Sequence, residues 1–419
     1  AMTRTLPPLE APRLPARAEI VDTTLPNGLR VVAAYAPSVP MVDLRLRVPV
    51  AGHPAYAPAL HVAAEAMFQG SDGPAQAALG EVGASLYAGL DPAWFTAAGS
   101  AMADGITVLL DKLVTALTAP RYHSRRCEAA ARRVLARLAV TRAQPHVFTQ
   151  QVFRDRFLPA GTPPVVPDDA AVRRVAAESV TAAHHEVLRP TGAFLVVTGA
   201  VDPERVVTQV ATAVERWQPG AATHRGEPPR AEPRRTGVAL AARPAAVQSQ
   251  ILLAAPVPPR ADPRFAALNL TACVFGGYFS SRLVTQVRGR SGLAYRAAAV
   301  VDELFGETLL AVNVDTASEF TAAALAEVEQ QLLRLADEPP TPRELDMAKS
   351  FCCGMLALQL SSQAGMASEL TSALSFGFDP TWLWRFTAAL LEVDVEAAGD
   401  AAATWFSPAR FAGVVTGDV

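Results

Sequence analysis

The sequence predicts an α+β fold of two homologous domains, each a mainly antiparallel sheet covered by helices. Three observations carry that prediction. The chain has 419 residues, 50% of them hydrophobic and 18% charged, which is too long for one ordinary core and too apolar for a disordered segment. A polar stretch rich in Pro, Gly and Arg, residues 218–236 ("QPGAATHRGEPPRAEPRRT"), lies near the midpoint and reads as a linker. The sequence on its two sides also echoes itself. "RPTGAFLVVTGAVDPE" (189–204) and "SPARFAGVVTGDV" (407–419) both run from a turn through an apolar strand to Thr-Gly and an acidic residue.

In chain order, residues 1–18 form an N-terminal tail rich in Pro and charge. No apolar segment of the kind that marks a secretory signal occurs there. The first domain is expected over 19–217. It opens with two strand-like runs, "GLRVVAAY" (28–35) and "MVDLRLRVPV" (41–50), then a helical pattern over 58–69. The second domain, 237–419, repeats this order with "GVALAAR" (237–243), "SQILLAAPVP" (249–258) and a helical pattern over 264–289. Strands first and helices after give sheets with helical cover. The longest uncharged run, between Lys349 and Glu369, is broken by Ser, Gln and Gly and reads as an amphipathic helix rather than a membrane span.

The formal net charge of −3 gives no global field toward nucleic acid or an anionic membrane, so neither is an expected partner. Among the four cysteines, Cys352 and Cys353 are adjacent while Cys127 and Cys273 stand alone, so no C-x-x-C pattern or disulfide framework exists. Small buried thiols in a reducing cytoplasm are the expectation. The abundance of Ala, Arg and Pro suits a high-GC bacterial genome.

The helix beginning "APALHVAAEAMFQG" (57–70) carries His61 and Glu65 four residues apart, hence on one face. Two metal-ligand types on an apolar helix pose a choice between a metal site, the remnant of one, and a satisfied polar pair. His184 and His185 lie in a charged, helical stretch and read as solvated. His53, His123, His146 and His224 have no partner at ligand spacing.

Several motifs line up in order: "LPNGLRVV" (25–32), "FLVVTGAVDPE" (194–204) and "GGYFSSRLVTQVRGRSGLAY" (276–295). Together they resemble the insulinase-type (pitrilysin, mitochondrial processing peptidase-like) metallopeptidases, of the small bacterial type with two homologous domains in a clam-shell fold. The resemblance implies an inverted zinc motif, His-x-x-Glu-His, on the first helix: two histidine ligands and a glutamate that activates the metal-bound water. In that register His61 matches the first histidine, Ala64 the base glutamate and Glu65 the second histidine. Alanine cannot accept a proton. The third ligand, a glutamate on a later helix, falls near Ala136. Glu128 is the nearest carboxylate, eight residues or ~12 Å along a helix, and Asp155 lies well beyond. Arg132, Arg133 and Arg137 on that helix would repel a cation. Tyr87 stands where the family places a substrate-holding asparagine. No metal is therefore expected in this chain.

The second domain keeps what the first has lost. The resemblance places an arginine and a tyrosine, seven residues apart, at Arg288 and Tyr295. A guanidinium can donate several hydrogen bonds to peptide carbonyls, and a phenol can donate to a carbonyl oxygen as it gains charge. Gly292 between them suggests a helix end, with Tyr295 opening a strand. Gly276-Gly277 fits no phosphate-binding pattern and reads as close packing at a helix start. The expected function is thus the non-catalytic, substrate-binding subunit of a heterodimeric zinc metallopeptidase. A homologous zinc-motif subunit would hold the zinc, and an unfolded or extended peptide would be the substrate. A structural or assembly protein of the same fold is the alternative. A self-sufficient enzyme using His61 and Glu65 ranks last.

Overall fold

The computed structural model describes residues 13, 15–51, 53–68, 79–160, 162, 164–220, 236–304 and 306–418. The linker expected over 218–236 falls almost wholly outside them, as does most of the 1–18 tail.

Two sheets organise the chain. The first contains β1 (Ile20–Thr24), β2 (Arg30–Tyr35), β3 (Met41–Pro49), β4 (Ser85–Leu90), β5 (Trp94–Met102) and β6 (Phe194–Gly199), in the order β1-β2-β6-β3-β5-β4. The second contains β7 (Gly237–Ala242), β8 (Gln248–Pro256), β9 (Arg296–Leu304), β10 (Glu307–Ala317) and β11 (Ala412–Gly417), ordered β7-β11-β8-β10-β9. Except for β1, the two orders superimpose strand for strand. In each sheet one pair is parallel, β2 with β6 and β7 with β11, and the others are antiparallel. The two echoing segments are the equivalent strands β6 and β11, and every residue of both is buried. Strands covered on both faces require such continuous apolar runs.

One face of the first sheet is covered by helices of its own half. These are α1 (Ala57–Met67), α2 (Ile106–Thr118), α5 (Ala177–Val187) and α6 (Pro203–Ala213), packed on Leu44, Leu46, Phe95 and Leu195. Against the outer side of α1 lies α3 (Ser124–Ala143), joined through Val62, Ala63, Ala66, Ala130 and Val134. The second sheet is covered likewise by α7 (Phe265–Ala272), α8 (Thr321–Asp337) and α12 (Val395–Trp405).

The opposite faces are covered by exchange. From the first half, α4 (Pro145–Phe157) lays Phe153 and Phe157 on Leu252, Ala254, Leu309, Ala311 and Val414 of the second sheet. From the second half, α10 (Gln363–Ser375) and α11 (Trp382–Glu392) lay Met366, Leu370, Leu374 and Trp384 on Val32, Ala34, Trp94 and Val196 of the first. Each fully buried Phe or Leu contributes about 1.5–3 kcal/mol, so the exchange ties the halves together strongly. Polar contacts repeat the symmetry. Thr198 Oγ1 donates to the Gln363 carbonyl at 2.7 Å, and its equivalent, Thr416, shares a 2.6 Å hydrogen bond with Thr149. At the start of the chain, the Pro15 carbonyl accepts from Trp384 Nε1 at 3.1 Å.

Two elements depart from the sequence reading. The uncharged run from Lys349 divides at Ser361 into α9 (Pro342–Leu360) and α10, because Ser362 caps α10 by accepting from the Gly365 amide at 3.1 Å. Among the described residues no helix is long and apolar enough to cross a membrane. The helix expected over 264–289 is broken: α7 widens into a π-helical turn at Cys273–Gly277, and a second π-helical segment spans Val284–Arg290. Cys273 does not stand alone; its sulfur lies 3.7 Å from that of Cys352 on α9.

Candidate functional site

On α1, burial falls on Leu60, Val62, Ala63, Ala64 and Ala66, and Glu65 is buried with them at 7% exposure. A carboxylate so far from water needs charged partners. It has two, both from α3. Arg133 Nε donates to one Glu65 oxygen at 2.7 Å and Arg137 Nη1 to the other at 2.8 Å. The two arginines stand one helical turn apart on α3, so both reach the same carboxylate. The third-ligand position, Ala136, adjoins Arg137 and offers no donor atom. His61 is largely buried, and burial, with the Arg137 charge second, pushes its imidazole down to about 4. It is a neutral ring near the Arg137 guanidinium. Among the described residues no three His, Cys, Asp or Glu side chains converge on a point where a metal could be held. The residues present do not fit the zinc of the inverted motif: the base position is Ala64 and the Glu65 carboxylate is engaged by two cations.

Tyr87 lies on β4, the edge strand of the first sheet, and is 60% exposed. Its neighbours Leu86, Ala88 and Leu90 pack on the core beneath α1. The two-residue period of a strand therefore puts Tyr87 on the opposite face of the sheet.

In the second half, the segment 276–295 is shaped by close packing. A Cβ on Gly276 would lie 2.5 Å from the Ala299 amide nitrogen of β9, so only glycine lets the π-helical turn approach that strand. This is the close packing expected of the glycine pair, placed at the end of a helix rather than its start. Arg282 fixes the next turn by a two-pronged ion pair with Glu344 on α9, at 2.6 and 2.7 Å, and holds that carboxyl down at about 2. The chain leaves the second π-helical segment through Gly292, whose φ of +63° favours glycine. It enters β9 with the Tyr295 amide bonded to the Asp315 carbonyl at 2.9 Å.

Arg288 and Tyr295 both end in solvent, Tyr295 at 62% exposure. Among the described residues Arg288 makes no ion pair; its guanidinium lies 5.1 Å from the ring centre of Phe279, which is 76% exposed. Nothing in the sequence distinguished Phe279 beyond its place in the motif. No hydrogen bond, ion pair or ring contact among the described residues joins this group to His61 or Glu65.

His184 corrects the solvated reading: it is 1% exposed, between Tyr122 and α2. The Leu117 carbonyl can only accept, so Nε2 carries the proton at 2.9 Å, and Nδ1 accepts from the Tyr122 hydroxyl at 2.9 Å. Burial pushes its imidazole down to about 4. His184 is a satisfied core histidine.

Comparison with known proteins agrees with the motif order. A family model described as peptidase M16 inactive domain matches residues 174–351, a region that includes Arg288 and Tyr295. An uncharacterized zinc protease of Streptomyces coelicolor is 26% identical over 292 residues, a match covering 65% of this chain and 62% of that protein's length. The crystal structure of a peptidase M16 inactive domain from Pseudomonas fluorescens superimposes with a TM-score of 0.85 at 20% identity, covering 96% of this chain and 98% of that one. A protease from Helicobacter pylori superimposes with a TM-score of 0.83 at 16% identity, over 96% of this chain and 100% of that one. With the motifs and the duplicated sheets, these likenesses make the chain similar to the insulinase-type, M16 metallopeptidases, with Ala64 standing where that resemblance puts the catalytic glutamate of the zinc helix.

Proposed function

We propose that this chain is the non-catalytic, substrate-binding subunit of a two-chain zinc peptidase. A homologous partner carrying an intact zinc helix would hold the metal, and Arg288 and Tyr295 would be presented to the peptide bound there. The observation that carries this reading is a contrast between the halves. The α1 helix has given its carboxylate to Arg133 and Arg137, whereas Arg288 and Tyr295 remain exposed and make no ion pair among the described residues. An exposed arginine held only by an aromatic ring keeps its donors available to peptide carbonyls. The β4 edge has a neighbour on one side only and suits an extended peptide that adds a strand by backbone pairing.

The test is to purify the chain alone and with a homologous chain bearing a complete His-x-x-Glu-His helix, then assay cleavage of unstructured peptides. Cleavage by the pair that collapses in Arg288→Ala and Tyr295→Phe supports the reading. Undiminished cleavage in both variants refutes it. Stoichiometric zinc with cleavage by the single chain would favour a self-sufficient enzyme instead. A second reading, an assembly protein of the same fold, draws on the exposed apolar side chains Phe351, Met355 and Leu358, which share one side of α9.

A further inference from the structure

We infer that the former metal position on α1 and α3 is now a binding site for a carboxylate, with Arg133 and Arg137 as its donors. This stands apart from the reading of Arg288 and Tyr295 and rests on different residues. Two guanidinium groups meet a single carboxylate, Glu65, so the cluster carries one positive charge in excess. Glu128, the other carboxylate of α3, forms no ion pair among the described residues.

The geometry leaves that excess accessible. Each arginine uses one nitrogen on Glu65, Nε of Arg133 and Nη1 of Arg137, and neither has another partner among the described residues. The Arg133 and Arg137 side chains are 44% and 57% exposed, while that of Glu65 is 8% exposed. The buried carboxylate therefore acts as an internal clamp. It orients two forks whose remaining N–H groups face solvent, and holding donors in place before binding lowers the entropy lost on capture. A second carboxylate could accept from both forks and bring the cluster to neutrality, with charge-assisted hydrogen bonds of the stronger kind. The chemistry identifies a carboxylate of a peptide, either an acidic side chain or a free C-terminus. The helix pair that in the resembling family holds a cation would thus hold an anion in this chain.

The experiment uses isothermal titration calorimetry on the full chain with three acetylated alanine heptapeptides. One has an internal glutamate and an amidated end, one a glutamine and a free C-terminal carboxylate, and one a glutamine and an amidated end. The two acidic peptides are expected to bind saturably, at least tenfold more tightly than the neutral one, and more weakly as salt rises. Which acidic peptide binds more tightly identifies the source of the carboxylate. Arg137→Gln and Arg133→Gln should each weaken acidic-peptide binding tenfold or more. Should an arginine variant fail to fold by circular dichroism, Arg137→Lys keeps the charge, loses the fork and should still weaken binding. Equal affinity for all three peptides, no binding of either acidic peptide, or acidic binding unchanged in the folded arginine variants would each overturn the inference.

Discussion

Thr416, on the interior strand β11 of the second sheet, shares a buried 2.6 Å hydrogen bond with Thr149 on a helix that belongs to the first half. The equivalent Thr198 reaches the first turn of α10 from the opposite half. These contacts mark an exchange of helices, and the exchange has a consequence for folding: neither sheet is covered on both faces by its own half. Residues 237–419 expressed alone should expose Leu252, Ala254, Leu309 and Val414, and should bind a hydrophobic dye and aggregate. The whole chain should unfold in urea as one transition seen alike by circular dichroism and tryptophan fluorescence. Thr416→Val removes the strand partner of Thr149, whose hydroxyl still donates to the Pro145 carbonyl, and should cost roughly 0.5–1.5 kcal/mol.

The ion triad on α1 predicts an asymmetry in stability. Removing Glu65 leaves two half-exposed guanidinium groups that water can solvate, so Glu65→Ala should be the milder change. Removing both arginines strands a carboxylate that is 7% exposed, and truncating the partners of a buried charge typically costs about 3–5 kcal/mol. The double variant Arg133→Ala with Arg137→Ala should therefore unfold at lower urea than Glu65→Ala, and regain stability when Glu65→Ala is added to it. Equal destabilisation by the two changes would show that the stranded carboxylate does not set the asymmetry. Zinc added to the wild-type chain should leave Tm unmoved.

How much of this was legible in the sequence differs by level. The duplicated strands were, because an apolar run ending in Thr-Gly appears at β6 and again at β11, and Gly292 marked the helix end before Tyr295. The exchange of α4 and α10 was not, since an apolar stripe shows that a helix has a buried face but not which sheet it meets. The loss of the base at Ala64 was plain from the register. The positive charge of α3 is visible too, and it suits repulsion of a cation, a solvated or partner-facing side, or an acidic peptide alike; that Arg133 and Arg137, one turn apart, share Glu65 needs the packing of α3 on α1, which the sequence does not state. The charged neighbours of His184 point to solvent, whereas the fold buries it. A signal existed, because Ala177, Val180, Ala183, His184 and Val187 are spaced at helical intervals and all are buried.

The buried histidine gives the protein an acid-sensitive element. His184 is neutral in the fold, with its imidazole pushed down to about 4, whereas in the unfolded chain it takes up a proton near 6.5. Between those values the unfolded state binds more protons, so stability is full above about 6.5 and is lost as pH falls toward 4. The contribution is roughly 3 kcal/mol over that window. Urea midpoints measured from pH 7.5 down to 4.5 should stay level to about pH 6.5 and then fall. In His184→Gln the whole curve should start lower and fall less steeply, because one of the two buried histidines held down near 4, the other being His61, is gone. An unchanged slope in that variant would assign the acid sensitivity elsewhere.

The contact between Phe279 and Arg288 separates a positioning effect from a direct one. The ring lies 5.1 Å from the guanidinium carbon, and an exposed cation–π contact of this kind is worth about 0.5–1 kcal/mol. Phe279→Ala should therefore reduce cleavage by the paired enzyme only about two- to fivefold, far less than Arg288→Ala. Phe279→Tyr, which keeps an aromatic face, should restore most of it. Independent of any partner, the Nε–H resonance of Arg288 in the labelled chain should lie upfield from the ring current of Phe279. It should return to the position of a free arginine in Phe279→Ala. An Nε–H shift identical in the two proteins would show that the ring does not hold the guanidinium in solution, whatever the paired enzyme does.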